Sequence, residues 1–225
     1  MAAQIMRVYW AILGKDLRSE LRTRQTLVST FVFGVLVLVV FNFSFELRGA
    51  DLLALAPGVL WATFIFDGLL ALGRTFAAEG DNGAIEALIL APVDRGLIFL
   101  AKWTLTLLLM LLAQIVLLAI FAAVFNVNAF SPLILLDLLL GSAGFAAVGT
   151  ALSVVAFNTR AREILLPILL LPLSIPLIIA AVRTTSLALT GAPLSESVPW
   201  LNLMAGFDIL FGVVCYYLFG SLIEE

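Results

Sequence analysis

Three aspartates stand inside long apolar stretches of the sequence, where carboxyl groups are rare. They are Asp67, Asp137 and Asp208. A charge at the centre of a bilayer costs about 2.5–3.5 kcal/mol on insertion scales, so such groups normally face protein or water. They could form a polar or proton-linked path, or they could make interhelical hydrogen bonds that fix packing. Candidate hydrogen-bond partners are Thr63, Ser142 and Asn202. Both interpretations stay open.

The chain has few residues that could serve in catalysis, metal binding or nucleotide binding. There is no histidine and only one cysteine, Cys215, which lies in an apolar run. Histidine is the usual general base and the commonest metal ligand, so we expect neither a catalytic triad nor a metal site. No G-x-x-x-x-G-K-[ST] pattern occurs, and the chain therefore has no P-loop for ATP. Nucleic-acid binding is not expected either, because the 12 Lys and Arg residues are spread along the chain.

The composition requires lipid as the solvent for most side chains. The 225 residues are 63% hydrophobic and 12% charged, whereas soluble chains are about 45–50% apolar and about 25% charged. A spanning helix needs about 20 mostly apolar residues. We predict an all-α integral membrane protein with a single membrane domain, residues 1–225. Its six transmembrane spans are predicted at 25–45, 52–73, 103–125, 132–157, 164–182 and 199–219.

The basic residues predict the orientation of these spans. Ten of the twelve lie before the first span or in the connections after the second and fourth, and Arg48 and Arg183 lie on the other side. Cytoplasmic segments carry the Lys and Arg excess. We therefore expect both termini in the cytoplasm. The outer connections are short, so a soluble partner should meet the cytoplasmic face.

Residues 1–24 have the pattern of an amphipathic interfacial helix. The basic side chains of this segment are Arg7, Lys15, Arg18, Arg22 and Arg24. The first four project opposite an apolar arc that includes Ile5, Val8, Tyr9, Ile12, Leu13 and Leu17. Such a helix lies in the membrane surface and meets anionic headgroups or an acidic partner. Asp16 and Glu20 break the pattern, and we expect Glu20 to pair with Arg24. The segment is either a tail held only by lipid or an elbow helix that frames a docking surface.

The cytoplasmic connection 74–102 contains a second amphipathic segment, EGDNGAIEALILAPV, at 79–93. Gly80 and Gly83 interrupt the helix that arrives from the second span, and Asp81 or Asn82 can cap a new one. Pro92 ends the new helix after about two turns, which is too short to be stable alone in water. Its apolar residues are Ile85, Leu88 and Ile89. They need a covering surface, and part of that surface can be a partner protein.

Two motifs carry a resemblance to a known family. EGDNGAIEALILAPV resembles the coupling helix of ABC-2-type transporter permeases. KDLRSELRTRQ, just before the first span, is similar to the haem exporter protein B family, the permease subunit of the ABC transporter in cytochrome c maturation. The resemblance implies a six-span ABC-2-type permease bundle in the bacterial inner membrane. The implied ATPase-docking residues are Glu79, Gly80, Gly83, Ile85, Glu86, Leu88, Ile89 and Pro92.

The resemblance also implies the division of labour in a complex. ATP would be hydrolysed on a cytoplasmic ABC ATPase subunit, and haem would be released or transferred at the outer face. Further implied partners are a haem-binding membrane subunit and a small membrane subunit, and the resemblance allows a second permease copy. This chain would itself bind no cofactor. The alternatives are an ABC-2-type exporter of a drug, lipid or polysaccharide, and an ion-coupled secondary transporter that uses the three aspartates.

Two spans show features that concern packing. In the fourth span, small residues recur at every fourth position, for example Ser142, Ala146 and Thr150. This spacing predicts a face that packs closely against other helices. The fifth span contains Pro167, Pro172 and Pro176, and prolines bend helices. Residues 184–199, beyond that span, could include a short re-entrant or interfacial turn.

Overall fold

A computed structural model describes residues 2–45, 50–80, 94–157 and 162–224. These residues form seven helices: α1 (Ala2–Thr23), α2 (Gln25–Phe45), α3 (Ala50–Gly80), α4 (Arg95–Phe125), α5 (Pro132–Phe157), α6 (Arg162–Thr190) and α7 (Leu194–Glu224). Helices α2 to α7 are each long and apolar enough to cross a membrane. The predicted all-α fold with six membrane-spanning helices is therefore confirmed.

The helices extend further than the predicted spans. Helix α3 continues to Gly80, and α4 begins at Arg95 instead of residue 103. The Asp94 carboxylate caps α4 by accepting a hydrogen bond from the Gly96 N–H at 2.8 Å. Lys102, assigned by sequence to a connection, lies inside α4 and is 2% exposed. Polar residues can belong to a spanning helix when the fold supplies partners, and composition alone does not show those partners.

The short turn expected within residues 184–199 is present, and the helices on both sides of it are longer than the predicted spans. Helix α6 runs to Thr190 and α7 starts at Leu194, so residues 191–193 alone join them. Gly191 has φ +71°, in the left-handed region that glycine adopts without steric penalty. The Thr190 hydroxyl donates to the Ser186 carbonyl at 2.9 Å. Ser and Thr hydroxyl groups can thus donate hydrogen bonds to backbone carbonyls of their own helix. This allows α6 to continue through a segment rich in Ser and Thr.

Helix α5 is the central helix of the bundle. It packs against α3, α4, α6 and α7. The small residues Ser142, Ala146 and Thr150 are at most 1% exposed, so the predicted packing face is confirmed. A Cβ at Gly144 would collide with the Asp208 carboxylate of α7. The absence of a side chain at Gly144 therefore allows α5 and α7 to approach this closely.

Helix α1 packs on the bundle and does not extend away from it. Ile12 and Leu13 are 9% and 3% exposed, and Leu13 belongs to a small apolar cluster with Leu105 and Leu109 of α4. A single residue, Arg24, joins α1 to α2 and has φ +53°. The end of the bundle where α1 lies is called here the α1 end.

Candidate functional site

The segment predicted to dock an ATPase lies mostly outside the described residues. Glu79 and Gly80 form the end of α3. The remaining predicted docking residues, which fall outside, are Gly83, Ile85, Glu86, Leu88, Ile89 and Pro92. The structure does describe where this segment leaves and rejoins the bundle, at Gly80 and Asp94. The contacts of the residues that follow the segment, from Asp94 onward, are therefore described.

The predicted basic side chains of α1 are all exposed, and four of them share one face. That face carries Arg7, Lys15, Arg18 and Arg22. An adjacent strip exposes Met6, Trp10 and Leu21, which are 56%, 59% and 49% accessible. The third side of the helix packs against the protein. The predicted apolar arc therefore faces the bundle, which covers Ile12 and Leu13, whereas the exposed apolar strip was not part of that prediction.

The third side of α1 carries a buried ion pair that explains one of the two acidic residues in the apolar arc. The Lys102 ammonium of α4 lies 2.6 Å from Asp16 Oδ2, and these side chains are 2% and 10% exposed. Lys15 lies 3.2 Å from Asp16 Oδ1 but is 58% exposed. The Tyr9 hydroxyl adds a 2.9 Å hydrogen bond to Thr104 Oγ1. Sequence reasoning missed Lys102, although an acidic residue on an apolar arc signals an unseen cationic partner.

The second acidic residue, Glu20, caps α2. Its Oε1 accepts hydrogen bonds from the backbone N–H of Thr26 at 2.8 Å and of Leu27 at 3.3 Å. Its Oε2 accepts from the Thr26 hydroxyl at 2.9 Å. The first N–H groups of a helix have no partner within the helix, so this carboxylate stabilises the start of α2. The sequence predicted a pair between Glu20 and Arg24. In the structure the Glu20 carboxylate instead binds the N-terminus of α2.

The first turns of α4, residues 94–104 (the α4 start), contact three other helices. Lys102 and Thr104 bind α1, as described above. Arg95 donates from Nη1 to the Gly220 carbonyl near the end of α7 at 3.3 Å. Trp103 donates from Nε1 to the Ala143 carbonyl of α5 at 2.9 Å. Phe99 is fully buried and lies against both Trp103 and Phe219, at ring-centroid distances of 6.0 and 5.4 Å.

The three intramembrane aspartates lie on three different helices, α3, α5 and α7. Asp137 is fully buried, and its Oδ2 accepts a 2.5 Å hydrogen bond from Thr185 Oγ1. The Thr185 oxygen in turn accepts from Trp61 Nε1 at 2.9 Å. Both carboxylate oxygens of Asp67, and Oδ1 of Asp208, are buried with no hydrogen-bond partner in the described part of the chain.

The polar partners expected from the sequence make other bonds. Thr63 donates to the Val59 carbonyl of its own helix at 2.8 Å, and Ser142 donates to Gln114 Oε1 at 2.6 Å. Asn202 is exposed. The partner of Asp137 is instead Thr185, which is 48 residues away in sequence. The bonds of Asp137 join α3, α5 and α6, which is the packing role that the sequence left open.

A small cavity lies between α3, α4, α5 and α6. Its volume is about 10 Å³, and its polar lining is Gln114 and Ser142. The amide nitrogen of Gln114 is buried there and has no hydrogen-bond partner among the residues that the structure describes. A cavity of this size holds one water molecule at most, so it is far too small for a haem. Within the described ranges there is also no group of three or more His, Cys, Asp or Glu residues that could hold a metal ion.

Comparison with known proteins assigns the chain to a family. The sequence profile of the CcmB protein family matches residues 7–223. "Heme exporter protein B" of Pseudomonas aeruginosa is 28% identical over 195 residues, which cover 86% of this chain and 87% of that protein. The protein of the same name from Rhodobacter capsulatus is 30% identical over 174 residues, or 75% and 78% of the two chains. The Paracoccus denitrificans protein is 28% identical over 187 residues, or 81% and 84%. The resemblance inferred from two motifs is confirmed, and the chain belongs to the CcmB protein family.

Proposed function

We propose that this chain is the membrane permease subunit of an ABC transporter that handles haem in cytochrome c maturation. The observation that carries the proposal is the family match, which covers residues 7–223 and therefore all six spans. The relatives that match over most of their length bear the name "Heme exporter protein B". The six apolar helices are long enough to cross a membrane, and the bacterial relatives support the inner membrane as its location.

ATP hydrolysis belongs to a separate cytoplasmic subunit that docks on residues 79–92. The chain has no P-loop of its own. The docking segment leaves α3 at Gly80 and enters α4 at Asp94. This is the α1 end of the bundle, where the basic face of α1 is exposed. Because cytoplasmic segments carry the positive charge, the α1 end is the cytoplasmic end and both termini lie there.

The three sides of α1 suit a helix that lies in the cytoplasmic membrane surface. Trp10 and Leu21 are exposed apolar residues that would enter the boundary of the acyl chains, and tryptophan favours that depth. The adjacent basic face would meet anionic headgroups. The Asp16–Lys102 pair and the Tyr9–Thr104 hydrogen bond support the elbow-helix alternative, because a tail held only by lipid needs neither.

The complex, and not this chain alone, would bind haem. The described residues contain no histidine, and the cavity between α3 and α6 is of water size. A haem-binding membrane subunit and a small membrane subunit would complete the complex, with a second permease copy as a further possible member. In this arrangement Asp137 is a packing residue, because its carboxylate holds three helices together through Thr185 and Trp61.

Deletion of the chain tests the proposed function directly. Cells without it should lose covalently attached haem in their c-type cytochromes, which haem staining of denatured proteins measures. A plasmid copy of the chain should restore the signal. Normal covalent haem attachment in the deletion strain would remove the haem-handling function.

A charge reversal tests the docking segment. Glu86→Lys should abolish copurification of the ATPase subunit and reduce c-type cytochromes. The matched control is Glu196→Lys, an exposed acidic residue in the first turn of α7, at the opposite end of the bundle. That variant should retain both properties. Copurification that survives Glu86→Lys would refute docking at residues 79–92.

A further inference from the structure

The α4 start directly follows the proposed docking segment and makes side-chain contacts with α1, α5 and α7. Each contact uses a different side chain. Lys102 reaches α1, Trp103 reaches α5, and Arg95 reaches α7. The three contacts fall within nine consecutive residues of one helix.

These contacts are suited to transmit a displacement. The Lys102–Asp16 bond is short, charge-assisted and almost fully shielded from water, so it holds its geometry better than an exposed ion pair. Trp103 stacks on Phe99 with an interplanar angle of 18°, which fixes the indole as it donates to α5. The aromatic contact between Phe99 and Phe219 adds a second connection to α7.

Helix α1 depends on α4 for its position. Within the described ranges most of its packing is against α4, and α2 contacts it near the elbow. Helix α4 is a continuous helix of 31 residues. Its backbone hydrogen bonds make it move as a stiff rod on the scale of a few turns. A shift of its first turn is therefore passed to Lys102 and Trp103, two turns further along.

We propose that the α4 start is a mechanical relay, in which Lys102 and Trp103 act as positioning residues that pass movement of the docking segment to α1 and α5. The inference rests on the proposed function, since it needs an ATPase that moves residues 79–92. It adds the residues that receive the movement. Coupling between distant sites travels through packed side chains and rigid elements of this kind.

The test measures ATP hydrolysis separately from the formation of c-type cytochromes. Trp103→Phe removes the donor to Ala143 but keeps an aromatic ring against Phe99. The double variant Asp16→Asn/Lys102→Met removes the ion pair without leaving an unpaired charge. The matched control is Trp200→Phe, which makes the same change at a half-buried tryptophan near the opposite end of the bundle.

Three quantities are measured for each variant: copurification of the ATPase, the ATP hydrolysis rate of the purified complex, and c-type cytochrome formed in the same cells. Trp103→Phe and the double variant should keep the first two and lower the cytochrome formed per ATP hydrolysed by on the order of tenfold. The Trp200→Phe control should keep the wild-type ratio. A purely structural role would lower copurification and hydrolysis together with the cytochrome yield.

The outcomes distinguish the relay from the function on which it rests. If the wild type copurifies an ATPase and both test variants keep its ratio, the relay is refuted and the proposed function stands. If the wild type itself copurifies no ATPase, both are refuted. Should the double variant fail to accumulate in the membrane, Trp103→Phe decides the question, because it is the more conservative change.

Discussion

The buried pair between Asp16 and Lys102 gives the sharpest test of how α1 is held. Lys102→Met should destabilise the protein by about 3–5 kcal/mol, because removal of one member of a buried pair leaves an uncompensated charge. The Asp16 side chain is 10% exposed, so water can solvate the remaining carboxylate only weakly. Methionine has a similar length and volume, so the change removes the charge with little change in packing.

Two further variants complete the measurement. Asp16→Asn/Lys102→Met should lie within about 1 kcal/mol of the wild type, because the replacement of both members leaves no unpaired charge. Lys15→Met should change the stability by about 0–1 kcal/mol, since that lysine is 58% exposed and its attraction to Asp16 is screened by water. Both lysines contact one carboxylate, so the comparison isolates the effect of burial.

The assay is reversible denaturant unfolding of the purified chain in mixed micelles, followed by tryptophan fluorescence. The free energies of unfolding of the single and double variants give the coupling energy of the pair by a double-mutant cycle. If Lys102→Met and Lys15→Met reduce the stability equally, or if the double variant is as unstable as Lys102→Met, the reasoning from burial is wrong.

Three more predictions use the same unfolding assay. Thr185→Val should cost about 1–3 kcal/mol by leaving the partners of its hydroxyl on α3 and α5 unpaired, whereas Thr184→Val, at a buried hydroxyl with no partner among the described residues, should be neutral or stabilising. Equal effects would show that the hydrogen bonds contribute nothing. Arg24→Gly should be more stable than Arg24→Ala by about 1 kcal/mol, because the elbow needs a left-handed backbone; the reverse order would contradict this. Gly144→Ala should cost about 1–3 kcal/mol through overpacking against the α7 carboxylate, while Gly206→Ala, where a methyl group meets nothing, should be slightly stabilising. A tolerated Gly144→Ala would mean that α5 and α7 are less closely packed than described.

The number and class of the helices were predictable from the sequence because apolar length is a strong signal. Lipid cannot satisfy backbone polar groups, so each long apolar stretch must form a helix. The ends of the helices were not predictable in the same way. Helix α4 begins at Arg95 because Asp94 caps it and because Lys102 has a partner on α1, 86 residues away in sequence. No local sequence pattern shows that Lys102 has a partner on α1.

The candidate site was predictable in its residue types but not in its contacts. A helical wheel predicts the basic face of α1, and the exposed arginines and Lys15 lie there. The wheel cannot distinguish an apolar side covered by lipid from one covered by protein, and Ile12 and Leu13 are of the second kind. The partner of Asp137 escaped prediction for the same reason, since Thr185 reaches it only after α5 and α6 have packed.

The sequence separation of 86 residues between Asp16 and Lys102 has a consequence for biosynthesis. The ribosome makes α1, α2 and α3 before it makes Lys102. The Asp16 carboxylate is therefore already at the membrane surface when Lys102 is synthesised. A lysine that enters the membrane without a partner is penalised, by up to about 2.5–3.5 kcal/mol at the bilayer centre and less near the surface. A nascent α4 that meets the waiting carboxylate enters the membrane with its charge already neutralised. The final seating of α1 therefore has to wait for α4, although α1 is translated before α4.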